Sequence, residues 1–277
     1  MKRIDGLRDI ADQFDLYLVD QYGVLHDGLA AYPGAVEGLA RIASGGRDVI
    51  VLTNSGKDAS DNLARLVKLG FSEPHFRVLS SGEVGLQLVR RGGLGPRFTI
   101  GAAACVIGRS GDRYAFSSGE FDLVSRPDDA AFLVFAGSDA PRTSLESYRA
   151  QLQTAAQAGV PAICVNPDIT MIRDGELVAA PGAIARIYEN MGGKVEYVGK
   201  PHGAIFRHAL DGVATGVGRA VVIGDSPEHD VCGGKAMGLS TLLVRTGIHR
   251  SLGEPELLHL CAACGGIPDF LASAFTW

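Results

Sequence analysis

The chain has 277 residues, 46% of them hydrophobic and 21% charged, with a formal net charge of −5 and a pI near 5.8. That length supports one large domain or two modest ones with a sizeable core, and an acidic balance without a Lys/Arg cluster argues against a nucleic-acid surface. Met1-Lys-Arg-Ile-Asp5 runs straight into charged residues, and no stretch approaches the roughly 20 apolar residues of a membrane helix, so a cytoplasmic protein without membrane or nucleic-acid partners is expected.

In chain order, Leu16 to Val19 reads as a short buried strand that ends at Asp20 and breaks at Gly23. A helix is expected from Ala35 to Ser44, between Pro33-Gly34 and Gly45-Gly46. Asp48 to Leu52 is a continuous apolar strand of the kind parallel sheets bury on both faces, and it runs into Thr53-Asn54-Ser55-Gly56-Lys57. Helices follow over 59–69 and 83–91. From about 95 to 194 the pattern repeats in miniature, with strands at 98–100, 131–135 and 161–165 and helices at 144–158 and 183–190. Glycine clusters at 92–95 and 192–193 suit linkers.

A strand at 195–198 leads to Gly199-Lys200-Pro201, a helix at 204–210 and the strand Arg219 to Ile223. That strand stops at Gly224-Asp225-Ser226-Pro227-Glu228-His229-Asp230, ahead of a Gly-rich helix at 231–237 and a strand at 240–244. Alternating strands and helices imply an α/β fold with a Rossmann-like parallel-sheet core. The middle third is expected to be an inserted smaller α/β domain, giving a core of 1–94 and 195–277 around an insertion of 95–194. The five scattered cysteines fit reduced buried thiols better than a disulfide framework. Cys261 and Cys264 have metal or redox spacing, but without a second pair they read as thiols on a helix face.

Four strand ends of the core carry chemistry: Asp20, Thr53-Asn54-Ser55, Lys200 and Asp225. Taken singly, each is an ordinary cap, turn or surface residue. Together, at the carboxyl edge of one parallel sheet, they are what phosphoryl transfer requires. Asp20 and Asp225 offer hard oxygens suited to Mg²⁺, and a carboxylate facing a phosphoryl group can attack it. Thr53 and the amides after it can hold phosphate oxygens, and Lys200 can neutralise charge on them. A dinucleotide reading lacks G-x-G-x-x-G after the first strand, and neither Gly56-Lys57 nor Gly199-Lys200 has Walker spacing.

These motifs resemble the haloacid dehalogenase-like hydrolases over almost the whole chain. Asp20-Gln-Tyr-Gly-Val-Leu25 is similar to their nucleophile loop, Leu52-Thr53-Asn54-Ser55 to their phosphate-binding strand end, Gly199-Lys200-Pro201 to their lysine motif and Gly224 to Asp230 to their acidic magnesium motif. Pro33-Gly34-Ala35, Val165-Asn166-Pro167-Asp168 and the position of the insertion point to subgroup IIA, which holds nucleotide, p-nitrophenyl, phosphoglycolate and pyridoxal phosphate phosphatases. The resemblance implies Asp20 as nucleophile and magnesium ligand, with the Tyr22 carbonyl and Asp225 completing the ligands and Asp230 steadying them. It implies Thr53, Asn54 and Ser55 on phosphate, with Lys200 fixing both Asp20 and the phosphoryl group, and the insertion as a cap that closes the site and chooses the substrate.

One departure stands out. The family usually carries a second aspartate two residues after the nucleophile, as acid and base, and here that position is Tyr22. The expected function is therefore Mg-dependent hydrolysis of a small phosphomonoester through an aspartyl-phosphate, slowed by Tyr22. The alternative is a catalytically weak relative that binds a phosphorylated metabolite or partner without turnover. His26 and Asp27 stand nearby as substitutes; Asp168 and Arg173 are candidate contacts in the insertion, Arg173 reading more simply as a hairpin-turn residue. A homodimer is compatible with this reading.

Overall fold

The computed structural model describes residues 1–72, 75–211, 213 and 217–277. In chain order, the first strands are β1 (Lys2–Arg3), β2 (Leu16–Asp20), β3 (Asp48–Thr53) and β4 (Arg77–Ser80), with helices α1 (Ala35–Ser44) and α2 (Ala59–Lys68) between β2 and β4. Then come α3 (Ser81–Arg90), β5 (Ala103–Ile107), β6 (Asp122–Leu123), β7 (Phe132–Phe135), α4 (Leu145–Gln157), β8 (Ala162–Cys164), β9 (Thr170–Arg173), β10 (Glu176–Ala179), α5 (Pro181–Asn190) and β11 (Val195–Tyr197). The last third holds α6 (Gly203–Leu210), β12 (Ala220–Gly224), α7 (Gly233–Ala236), β13 (Ser240–Val244), α8 (Glu254–Ala263) and β14 (Phe270–Ala272). Among the described residues no helix is long and apolar enough to cross a membrane.

Two compact units result, one of residues 1–53, 59–79 and 200–277, the other of 54–58 and 80–199. The division falls after Leu79 and after Gly199, not at the expected 94/95 and 194/195. Packing explains the shift. Gly85 of α3 lies where a Cβ would meet Val165 and Ile163 of the second unit, the Ser81 hydroxyl donates to the Val165 carbonyl, and β11 pairs in parallel with β8.

The first unit is built on a seven-stranded sheet of order β1-β14-β13-β12-β2-β3-β4, parallel at each described pairing. The chain moves outward from β2 in one direction and from β12 in the other, so the topological switch point lies between β2 and β12, where an open sheet offers its crevice. Apolar runs make these strands: Leu16, Tyr17, Leu18 and Val19 are fully buried, as are Ile50 and Val51. Each such side chain contributes about 1.5–3 kcal/mol by leaving water.

The second unit has a five-stranded parallel sheet of order β11-β8-β7-β5-β6 and a separate hairpin, β9–β10. Its core gathers Leu133, Phe135, Leu152, Ile184 and Tyr188. The strand expected at 98–100 lies outside any strand, and β5 forms five residues later. Two alanines at its start, Ala103 and Ala104, hide it, since small residues carry little strand signal.

Candidate active site

The β2 strand delivers Asp20 to the switch point, and β12 delivers Asp225 one residue beyond its end. Lys200 Nζ donates to Asp20 Oδ1 at 2.6 Å and to Asp230 Oδ1 at 2.7 Å. The other Asp230 oxygen accepts the Ser226 N–H at 3.1 Å. Ligand oxygens of Asp20, Asp225 and Asp230 all lie within 4.8 Å of one another. Two of these carboxylates thus share one ammonium, with Asp225 beside them, and Lys200 and Asp230 keep only 3% and 2% of their side-chain surface.

Two glycines let Asp225 reach this position. Gly23 (φ 88°) and Gly247 (φ 68°) adopt left-handed backbone that other residues resist, and a Cβ on either would strike the Asp225 carboxylate. The Ile248 N–H donates to Asp225 Oδ2 at 3.1 Å, and the Thr246 hydroxyl donates to the Gly23 carbonyl. The loop after β13 therefore braces both Asp225 and the turn after Asp20. This brace was not read from the sequence; Thr246-Gly247 after a strand was its only signal.

Asp230 is set by an unusual turn. Pro227–Cys232 form a π-helix in which the Val231 N–H reaches back to the Ser226 carbonyl. Ser226 caps it by accepting from the His229 N–H at 3.1 Å. The expected helix at 231–237 thus begins earlier, as this π-turn followed by α7.

Burial raises the pKa of Asp20 to about 7, with the opposing pull of Lys200 outweighed. Burial and the neighbouring Asp20 carboxylate likewise hold Asp225 well above the ordinary range. Burial works to lower Lys200, but Asp20 and Asp230 override it and keep the ammonium protonated. A cluster of hard oxygens with more carboxylates than compensating cations fits a divalent metal such as Mg²⁺. Asp20 and Asp225 suit direct ligation, whereas both oxygens of Asp230 are engaged, one by Lys200 and one by backbone.

Thr53 ends β3 and is 3% exposed. Asn54 and Ser55 belong to the second unit. There the Asn54 amide donates to Asp168 Oδ1 at 2.8 Å, and Ser55 Oγ accepts the Lys57 N–H at 3.2 Å. Asp168 thus touches a phosphate-loop candidate, whereas Arg173 closes β9 beside the Asp174-Gly175 turn and donates to the carbonyls of Ser138 and Ala140.

Tyr22 stands 43% exposed, its ring edge-on to His26 at 4.3 Å, with the Arg65 guanidinium 5.8 Å from its centre. Desolvation pushes its phenol above the ordinary value, against the pull of Arg65. A phenol so placed is no base at neutral pH. Nor is His26: burial lowers it to about 4. The Gly28 N–H donates to His26 Nδ1 at 2.9 Å, which puts the ring proton on Nε2, 3.1 Å from the Gln21 amide nitrogen. Turning the Gln21 amide so that its oxygen faces that proton also satisfies Oε1, otherwise buried without a partner among the described residues. Asp27 accepts from the Leu29 and Ala30 N–H groups at 2.8 Å each, so it organises its own turn.

The thiols part from expectation at one place. Cys105, Cys164 and Cys261 are free and buried, but Cys232 and Cys264 form a disulfide. Their Cα atoms lie 6.0 Å apart across 32 residues, a proximity that α8 creates and sequence spacing does not show.

A haloacid dehalogenase-like hydrolase model matches residues 17–121, and a HAD-hydrolase-like model matches 197–260. The dihydroxyacetone phosphatase of Corynebacterium glutamicum is 30% identical over 237 residues, spanning 84% of this chain and 81% of that one. The crystal structure of a haloacid dehalogenase-like hydrolase from Brucella suis superposes with a TM-score of 0.81 at 28% identity, covering 99% of this chain and 100% of that one. A glycerol phosphate phosphatase from Mycobacterium tuberculosis, solved in complex with magnesium, matches with a TM-score of 0.67 at 26% identity, over 86% of this chain and 70% of that one. The motifs, the sheet order and these likenesses agree: the chain belongs to the haloacid dehalogenase-like hydrolases, in their subgroup IIA.

Proposed function

We propose that the chain is a Mg²⁺-dependent phosphatase that cleaves a small phosphomonoester by way of an aspartyl-phosphate on Asp20. The observation that carries this reading is the Lys200 bridge between Asp20 and Asp230, set beside Asp225 at the switch point. A pure binder has no need of a nucleophile, a buried lysine and a metal acid together. The phosphatase names of the relatives, two of them for three-carbon phosphates, support a small substrate.

In this reading Asp20 Oδ attacks phosphorus as the bond to the ester oxygen breaks. The alcohol leaves with a proton taken from water, and a second water cleaves the aspartyl-phosphate to release phosphate and restore the Asp20 carboxylate. Lys200 holds the carboxylate in line and offsets charge on the transferring oxygens. Thr53, Asn54 and Ser55 bind the remaining phosphate oxygens, and the second unit serves as the cap that selects the leaving group. Mg²⁺ held by Asp20, Asp225 and the Tyr22 carbonyl would offset phosphate charge and keep Asp20 ionised. Tyr22 occupies the acid–base position and cannot accept a proton at neutral pH, and positioned proton transfer is typically worth about 10²–10⁴ in rate. Turnover is accordingly slow. Tyr22 is also the observation that favours the second reading, a relative that binds a phosphorylated metabolite without hydrolysing it.

The test is phosphate release from triose phosphates, glycerol phosphate, phosphoglycolate, nucleotides, pyridoxal phosphate and p-nitrophenyl phosphate, with Mg²⁺ and with chelator. Chelator-sensitive release that disappears in Asp20→Asn, with circular dichroism unchanged, supports the enzyme. Release that survives Asp20→Asn removes Asp20 as nucleophile. Silence across the panel, broken only by Tyr22→Asp, favours the binder.

A further inference from the structure

The second unit holds a cavity of about 420 Å³ that none of the phosphate-binding candidates lines. Its place in the sheet is informative. The chain runs from β5 outward to β6, then returns past β5 to β7 and on to β8, so this sheet has its own switch point between β5 and β7. The loops that follow those two strands, with the end of β6 and one side of α4, form the walls. Crevices at the carboxyl edge of such switch points are where open parallel sheets take ligands, and this volume is within the usual range for small-molecule sites.

The lining groups are arranged and incomplete. Tyr148 Oη accepts the Asp139 N–H at 2.8 Å, and Tyr114 Oη accepts the Arg109 N–H at 2.8 Å. Each phenol is therefore fixed in place with its own proton left to donate. Burial pushes Tyr114 up to about 12, so that proton stays on. Asp139 Oδ1, in the same wall, is buried without a hydrogen-bond partner among the described residues. Buried acceptors are rarely left unmet in a resting structure. Arg109 lies at the exposed rim, Thr143 adds a hydroxyl, and Leu123 supplies an apolar side.

A ligand that satisfies this wall must donate to Asp139 and accept from two phenols within one small space. An ammonium donates without accepting, and a carbonyl accepts without donating. Hydroxyl groups do both. Asp112 also lines the cavity but is paired with Lys57 Nζ at 3.1 Å, and the Arg109 guanidinium adds a place for one anionic group. We propose that the second unit carries a binding site for an anionic polyol, a sugar acid or a sugar phosphate, separate from the catalytic carboxylates. The proposal stands whether or not Asp20 turns over phosphate.

Calorimetric titration of the full chain in chelator, where the carboxylate cluster lacks its cation, tests it with gluconate and glucose 6-phosphate as probes and glucitol as the uncharged control. Saturable one-to-one binding of either anion is expected, at least about tenfold weaker in Asp139→Asn, Tyr148→Phe and Arg109→Ala. Tyr148→Phe keeps the ring and its packing, so its loss reports the hydroxyl rather than the fold. Gluconate binding alone identifies a sugar acid, and glucose 6-phosphate alone, lost in Asp139→Asn, identifies a sugar phosphate. Absence of saturable heat from both probes overturns the proposal. So does binding that survives all three substitutions, or that vanishes only in Lys200→Met.

Discussion

At the switch point of the seven-stranded sheet, between β2 and β12, three carboxylates gather, two of them on one ammonium, and burial raises Asp20 to about 7. At that of the five-stranded sheet, between β5 and β7, two carboxylates, Asp112 and Asp139, line one cavity with two phenols and an arginine at the rim. Both crevices come from the same architectural rule, a parallel sheet whose connections diverge. Their chemistry differs because the residues just past the strands differ. The first is short of positive charge and calls for a divalent cation; the second is short of hydroxyl partners and calls for an anionic polyol. Fold supplies the place, and the side chains decide what comes to it.

The sharpest break of that contrast is Lys200→Met, which removes the ammonium that Asp20 and Asp230 share. Phosphate release should fall by about 10²–10³ or more, and in chelator the loss of a buried partner should cost about 3–5 kcal/mol in urea unfolding, recovered in part by Mg²⁺. A cost below about 1 kcal/mol would show that the acids do not depend on Lys200 for their charge balance. Tyr22→Asp sharpens the comparison from the other side by completing the first crevice. Its kcat on p-nitrophenyl phosphate should rise by up to about 10²-fold, while gluconate binding at the second crevice stays as it is. An unchanged kcat would move the proton-transfer role to another residue.

Gly137→Ala attacks the second crevice alone. A Cβ there would lie 1.9 Å from Tyr114 Oη, so the substitution should destabilise by about 1–3 kcal/mol through overpacking, with Mg²⁺-dependent stabilisation intact. Equal loss of both responses would mean that the two units do not unfold separately. The smallest effect is on pH. Unfolded, His26 takes a proton near its ordinary 6.5; folded, it stays neutral down to about 4. The unfolded chain therefore binds more protons in that window, and stability should fall as pH drops from 6.5 towards 4. Urea midpoints for the wild type and His26→Asn measure it, the variant showing the flatter profile.

Asp20 and Asp225 were legible in the sequence because each stands at a strand end within a short motif, and β2, β3 and β12 are apolar enough to be read; Asp230, inside the π-turn, came only from the family resemblance. What surrounds them was not legible. The Gly247 and Ile248 brace on Asp225 comes from a loop 22 residues downstream, and its hydrogen bond depends on backbone direction rather than residue type. Strand β5 was hidden by alanine, and β9 and β10 by being a half-exposed hairpin with no core periodicity. The unit boundary moved because α3 reads as an amphipathic helix whichever unit it packs on. The disulfide was missed because nothing in Cys261-x-x-Cys264 points to Cys232.

The π-turn at Pro227–Cys232 carries a consequence for how this segment can vary in length. A π-turn holds one more residue than the α-turn that would replace it. Deleting a single residue between 227 and 229 would let the segment relax into an α-helix with Asp230 near its present angle, whereas inserting one would swing Asp230 by about 100° around the axis, the angle between neighbours on an α-helix. Lys200 would lose one of its two carboxylates although every motif residue remained in the chain. Spacing here is as binding as identity: relatives that keep the acids but lengthen this turn should have rebuilt the partner of the lysine elsewhere.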